Sequence, residues 1–358
     1  MRVFYLLLFF VLSLVDTYAQ LSIDVKKYLN GAVVNSIAKN KTDIWFSTEG
    51  SGIYKYSLSN DEWEHYSTAE GNLAYDFFFC IEATDDFVFA GSSDGLFIYD
   101  VKREQWTRRK FGLGGQLSNW IRDITYDRFN DVVWIGRFMY LTKYEINSRR
   151  FTDYDLTTEN VAKTNSIKAI SVEDRNTVWF GTEAGLHKYN KNLDLKSEGA
   201  LQFFDNRLNY FNGRGEEVSI SKILNERNFV WIGLDEFITP DRPNFNLGGL
   251  FRYDQRNQWL RFDTETGLRA NGIAALERTG NYIWVALYQF GKDTKEQFGR
   301  GVAIINRLDN KIITITEEYL PANVTSLCFD GNYMWVGAKD GVYRLLVTNE
   351  LAYWRLKR

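Results

Sequence analysis

Seven times along the chain an unbroken apolar triplet runs into a small residue: Ile44 to Ser47, Val88 to Gly91, Val133 to Gly136, Val178 to Gly181, Val230 to Gly233, Ile283 to Ala286 and Met334 to Gly337. The central positions are Trp45, Phe89, Trp134, Trp179, Trp231, Trp284 and Trp335, spaced by 44, 45, 45, 52, 53 and 51 residues. Consecutive apolar positions predict a strand buried on both faces. Upstream of each triplet lies a run with apolar ends and small or polar middles, such as VNSI (34–37), IRDI (121–124) and VTSL (324–327). Downstream come a strand opening on Gly and an apolar residue (GIYKY, GLFIY, GLHKY, GLFRY, GVYRL) and an aromatic-ended strand (WEHY, FTDY, WLRF). Each unit therefore holds four short strands.

Four-stranded units repeated at this period predict an all-β fold, a seven-bladed β-propeller of four-stranded antiparallel blades. Trp45, Phe89, Trp134, Trp179, Trp231, Trp284 and Trp335 are then structural repeat anchors, wedged between blades. The glycines of VWFGTEAGLHKY (178–189) have the density of a phosphate loop, but no helix N-terminus follows them, so they read as strand packing at Gly181 and a turn at Gly185. A recurring Asp or Asn before the inner strand (Asp76, Asn119, Asn165, Asn271) reads as a turn cap. Two segments compete for the outer strand of the last blade, VKKY (25–28) and LAYW (351–354), and the second is preferred for its spacing.

The run N-x-I-x-x-I, turn, VWFGT, two residues, GL and a tyrosine, best carried by IRDITYDRFNDVVWIG and IKAISVEDRNTVWFGTEAGLHKY, resembles the two-component regulator propeller repeat over residues 34–347. The resemblance implies kinship with periplasmic sensor regions of hybrid histidine kinases and with stand-alone exported propellers, and sensors of this kind detect polysaccharide fragments. Blade 3 departs from the pattern at Arg137 to Tyr140, and blades 5 and 6 by long insertions. No kinase or DNA-binding segment is read before Arg358, so the expected role is binding, not relay.

Residues 1–19 carry Arg2, an apolar run from Val3 to Val15, and Thr17 and Ala19 before Gln20, the pattern of a cleaved signal peptide. The expected layout is that leader followed by one propeller domain over 20–358, secreted or periplasmic. The apolar run is shorter than the ~20 residues that span a bilayer, so no membrane anchor is expected. A net charge of −3 gives no electrostatic reason for nucleic acid. Cys80 and Cys328 fall on non-neighbouring blades and read as buried small hydrophobes rather than a disulfide.

Chemistry is sparse. The two histidines, His65 and His187, map to an outer and a third strand, far from the axis, which disfavours a histidine-dependent propeller lyase. Glu216, Glu217, Asp235, Glu236 and Asp241 offer carboxylates without the spacing of a glycosidase pair. No catalytic residue, cofactor or metal site is assigned. A carbohydrate-active lyase or hydrolase is the first alternative and a protein scaffold the second.

The candidate surface is a ligand-binding face built by long loops: 205–217, leading into blade 5, 235–249 in blade 5, and 288–301 in blade 6. Its candidate residues are Arg214, Phe237, Arg242, Phe245, Tyr288, Phe290, Lys292 and Arg300, with Tyr210, Phe211 and Phe298 in the same loops. Arg137 and Tyr140 are added from blade 3, and Arg122 and Lys168 would put positive charge at the channel mouth unless Arg122 pairs with Asp123. Aromatic faces and arginine forks suit an acidic glycan or an envelope protein surface. The competing reading is that the aromatics only fold the loops onto the body. A monomer is expected.

Overall fold

The computed structural model describes residues 24–112, 115–315 and 317–347. These form seven antiparallel sheets of four strands each, arranged as a seven-bladed propeller. Six blades are continuous in sequence, with inner strands Val34–Lys39, Cys80–Ala83, Ile121–Asp127, Ile167–Val172, Ile220–Asn225 and Gly272–Thr279. The seventh takes its inner three strands, Val324–Phe329, Tyr333–Ala338 and Gly341–Leu346, from the C-terminal part of the chain.

Its outer strand corrects the expectation. Val25–Tyr28 occupies that place, in the register Val25↔Leu345 to Tyr28↔Val342. The segment Leu351 to Trp354, like the signal at 1–19, lies outside the described residues. Tyr28 explains the choice, because its ring lies 6.0 Å from Trp335 in blade 7 and 5.4 Å from Trp63 in blade 1. Arg344 sits over Tyr28 and Tyr333 at 5.4 and 4.6 Å. One strand thereby packs on two blades and joins both parts of the chain in one sheet.

The seven anchors are buried in the clusters that join neighbouring blades, each of Trp45, Phe89, Trp134, Trp179, Trp231, Trp284 and Trp335 at most 2% exposed. The small residue two places after the anchor makes room for the next blade. A methyl built on Gly91, Gly181 or Gly233 would lie 2.5–2.6 Å from an atom of the surrounding side chains, the isoleucine opening the following inner strand (Ile121, Ile220 or Ile273) being in contact each time. Gly337 meets Val34 in the same way and so closes the ring. Glycine is used here for close approach and not for a left-handed backbone.

Every inner strand except that of blade 2 carries a register shift near its start. The extra residue is Asn35, Arg122, Lys168, Ser221, Ala274 or Thr325. A bulge leaves that residue unpaired and turns its side chain out of the ladder. Four of them reach the next blade: Asn35 Nδ2 donates to Phe78 O at 2.9 Å, Thr325 Oγ1 to Val34 O, Arg122 to Glu183, and Lys168 to Ser219 Oγ at 3.0 Å.

The turn caps behave as expected. Asp76 Oδ1 accepts from Thr68 N at 2.8 Å, Asn119 Oδ1 from Phe111 N at 2.7 Å, Asn165 Oδ1 from Leu156 N at 2.9 Å and Asn271 Oδ1 from Thr264 N at 3.0 Å. Each ties the entry of one blade to the exit of the last. Cys80 and Cys328 are buried free thiols.

Candidate ligand-binding face

The two insertions read as loops in blades 5 and 6 are largely extended hairpins. The second and third strands of blade 5 run through Val230–Phe237 and Asn246–Tyr253, paired to Phe237↔Asn246. Those of blade 6 run through Tyr282–Phe290 and Gln297–Asn306, paired to Phe290↔Gln297. Alternation explains the folding, since Tyr288 and Phe290 are buried while Gln289 between them is exposed. The 205–217 segment contains a tight turn, Arg207–Gly213, in which Leu208, Asn209, Phe211 and Asn212 have left-handed φ. Phe211 is driven inward there, 4.4 Å from Trp259.

Between these elements and the channel mouth lies an open depression of 340 Å³. Its walls include Lys163, Lys168, Glu217, Asp235, Phe237, Phe245, Asn246 and Tyr288. Four candidate residues, Lys168, Phe237, Phe245 and Tyr288, thus meet in one place. Phe237 is 40% exposed and packs on Phe290 at 4.6 Å, with Phe245 6.0 Å away. Arg242 lies over Phe245 at 3.6 Å and bonds Glu216 through Nη2 at 2.6 Å.

The mouth is a polar network. Asp235 accepts from Lys168, from Ser219 Oγ at 2.6 Å and from Tyr288 Oη at 3.0 Å. Burial, then the nearby Arg122 guanidinium, pushes the Lys168 ammonium down to about 7. The Glu183 carboxylate opposes that shift, and the ammonium is in direct contact with Asp235. Burial raises the Tyr288 phenol and the Glu236 carboxyl above their ordinary values. Glu236 Oε2 accepts from Phe290 N at 2.8 Å, pinning the blade 6 hairpin to blade 5.

The two positive charges expected at the mouth, Arg122 and Lys168, are both paired. Arg122 is held by Glu183 at 2.5 Å and Ser166 Oγ at 2.9 Å, while Asp123 accepts instead from Ile170 N at 2.6 Å. Lys163 bonds Glu217 at 2.7 Å.

The other candidates lie elsewhere. Arg137 is fully buried inside blade 3, paired with Asp153 at 2.8 Å and stacked on Phe111 at 4.5 Å; Tyr140 lies beside it with φ 76°. This explains the irregular turn of blade 3: the buried arginine needs the half-buried carboxylate of Asp153 and an aromatic bed. Arg214 faces Glu265 at 3.7 Å, Arg300 bonds Gln289 Oε1 at 2.6 Å, and Lys292 is exposed beyond the blade 6 hairpin. Tyr210 packs beside Phe204 at 5.0 Å. Loop aromatics therefore divide, Phe211, Tyr288 and Phe290 serving the body, Phe237 and Phe298 facing solvent.

Sequence reading missed Lys163 and Asn246, and the stack of Trp120 on Phe138 at 5.5 Å with Phe79 5.6 Å from Trp120. Lys163 and Trp120 lie in connections between blades, Asn246 and Phe138 in hairpins within blades and Phe79 just before the inner strand of blade 2, so they lack a shared spacing. A larger cleft of 700 Å³ lies on the opposite face, among Lys39, Lys41, Asp85 and Arg128. It is walled by the short repeat turns, and Lys41 is paired with Asp85.

No protein-family model matches the chain. A curated relative, "Histidine kinase P4" of Formosa agariphila, is 28% identical over 184 residues, 48% of this chain and 13% of that protein. Two solved extracellular domains from B. thetaiotaomicron superpose with a TM-score of 0.65. One belongs to a protein described as a one-component system (18% identity, 90% of this chain, 39% of that one), the other to a hybrid two-component system (15%, 90% and 42%). A catalytically inactive virginiamycin B lyase of Staphylococcus aureus, solved with quinupristin, gives 0.65 at 12% identity, covering 91% of this chain and all of that one. The chain thus spans about an eighth of the curated relative and two fifths of the sensor-type structures, and at these identities the structural likeness establishes the seven-bladed fold alone. Among the described residues no helix is long and apolar enough to cross a membrane.

Proposed function

We propose that this chain is an exported, non-catalytic propeller that captures a glycan fragment on the face above blades 4 to 6, in the manner of the sensing regions of two-component systems. One observation carries the reading. The extended hairpins of blades 5 and 6 and the connection from blade 4 into blade 5 converge on one depression at the channel mouth, edged by the exposed ring of Phe237. A concave site with a few convergent polar groups and an aromatic wall is what a small ligand needs. The kinase name of the curated relative and the extracellular sensor regions sharing the fold agree with it.

The lyase reading draws on fold alone. His187 is fully buried, its Nε2 3.0 Å from Thr164 O, and burial lowers its pKa to about 4. His65 stacks on Tyr54 at 4.1 Å on an outer strand. Neither histidine lines the depression.

Calorimetry of the chain against a glycan panel tests the proposal. Binding without new reducing ends or unsaturated products, lost in Phe237→Ala, is the expected outcome. Turnover would favour the enzyme, and capture of one envelope protein with no glycan bound would favour the scaffold.

A further inference from the structure

The depression has a charge character that its sequence conceals. Two lysines, Lys163 and Lys168, line it against four acidic residues, Glu183, Glu217, Asp235 and Glu236. Both lysines are already held, by Glu217 and Asp235 respectively. Glu183 is taken by Arg122, and Glu236 accepts from Phe290 N and Asn271 Nδ2. The walls therefore carry four carboxyl groups against two ammonium groups, each ammonium already in contact with one of those carboxyls. A carboxylate or sulfate entering here would meet that excess of acidic groups at close range.

Asn246 supplies an independent pointer. It is 6% exposed, it lines the depression opposite Phe237 in the hairpin register, and its Oδ1 has no hydrogen-bond donor within the protein. A buried amide left without a partner is rare in folded proteins, and the part of this one that lines the depression is open to a hydroxyl from outside the chain.

We infer that this depression accepts a hydroxylated ring bearing no negative charge, its hydroxyls bonding the Asn246 amide and the wall carboxylates and its apolar face lying on Phe237. The inference rests on the glycan reading above and narrows it against acidic glycans. Arginine and lysine counts along the loops pointed the other way, because their partners lie on other blades.

Titration calorimetry of the full chain with neutral xylo-, manno- and galacto-oligosaccharides, chitosan oligomers and oligogalacturonates of matched length decides it. At least one uncharged or amino-bearing probe is expected to bind at least tenfold more tightly than the galacturonate. Phe237→Ala and Asn246→Leu should each weaken that binding at least tenfold; the thermal midpoint of Asn246→Leu reports whether it folds, and Phe237→Ala carries the test if it does not. Glu217→Gln, which releases Lys163, should raise galacturonate binding. If the galacturonate binds more tightly than every other probe and Phe237→Ala abolishes it, the face is a glycan site and the charge inference is wrong. If no probe of either charge binds, or binding ignores Phe237, both the inference and the glycan reading fall.

Discussion

A single methyl group measures how closely the blades approach. Gly181 lacks a left-handed φ, so alanine is free of backbone strain there, yet its Cβ would lie 2.5 Å from Ile220 Cγ2. Overpacking of this kind costs roughly 1–3 kcal/mol. Gly181→Ala should accordingly lower the urea midpoint, and Gly181→Ala combined with Ile220→Val should recover part of the loss; equal midpoints for wild type and the single variant would show that the contact is slack. His187 offers a test of sign. Buried neutral, with Nδ1 lacking any partner, it would have to bury an unsatisfied N–H on protonation. Its folded pKa near 4 lies below the unfolded value of 6.5, so its contribution is whole above pH 6.5 and drains as pH falls toward 4, by about 3 kcal/mol at full shift. His187→Gln should lose less stability than wild type between pH 7 and pH 4 in denaturant titrations.

At the scale of elements, strand order was legible because two periods coexist, an apolar triplet for the doubly buried strand and alternation for its neighbours. Trp45 and its six counterparts fixed the blade count for the same reason. The closing strand was not legible. Val25 to Tyr28 and Leu351 to Trp354 both end in an aromatic residue, and the choice depends on Tyr28 meeting Trp63 from another blade, a contact that no local pattern encodes. Nor could the mouth charges be read, since Lys168 finds Asp235 across 67 positions of chain. The closure makes a sharp expectation. Removing residues 24–28 exposes the third strand of blade 7 and the faces of Trp335 and Trp63, so the truncated chain should unfold at markedly lower urea, whereas removing Leu351 to Arg358 should change the midpoint far less. Equal losses from the two truncations would refute the assignment of the outer strand.

Across the whole molecule, the inner strands present a ring of edges to the axis, and an edge strand leaves N–H and C=O groups without a ladder partner. Side chains of the preceding blade supply the partners. Asp123 accepts from Ile170 N at 2.6 Å and Glu277 from Phe329 N at 3.2 Å, while Thr125 Oγ1 donates to Ile170 O at 3.1 Å. The backbone of Tyr126 bonds Glu82 likewise. Acidic residues along the axis therefore act as blade-to-blade struts, and enclosure sets their titration: burial first, then the Asp123 charge, lifts Glu82 to about 8, and burial lifts Asp123 to about 6. A carboxyl whose folded pKa exceeds its unfolded value favours folding most below the unfolded value, and that benefit fades as pH rises through the folded one. Stability should thus decline between pH 5 and pH 9 as Glu82 and Asp123 ionise inside the ring, opposite in direction to the acid-side loss at His187. Glu82→Gln keeps an acceptor oxygen in place of the carboxyl and cannot ionise, so it should match wild type near pH 5 and exceed it at pH 9 in urea midpoint. A constant gap between the two proteins across that range would mean that Glu82 is ionised throughout, and that water in the channel solvates the strut as well as bulk solvent would.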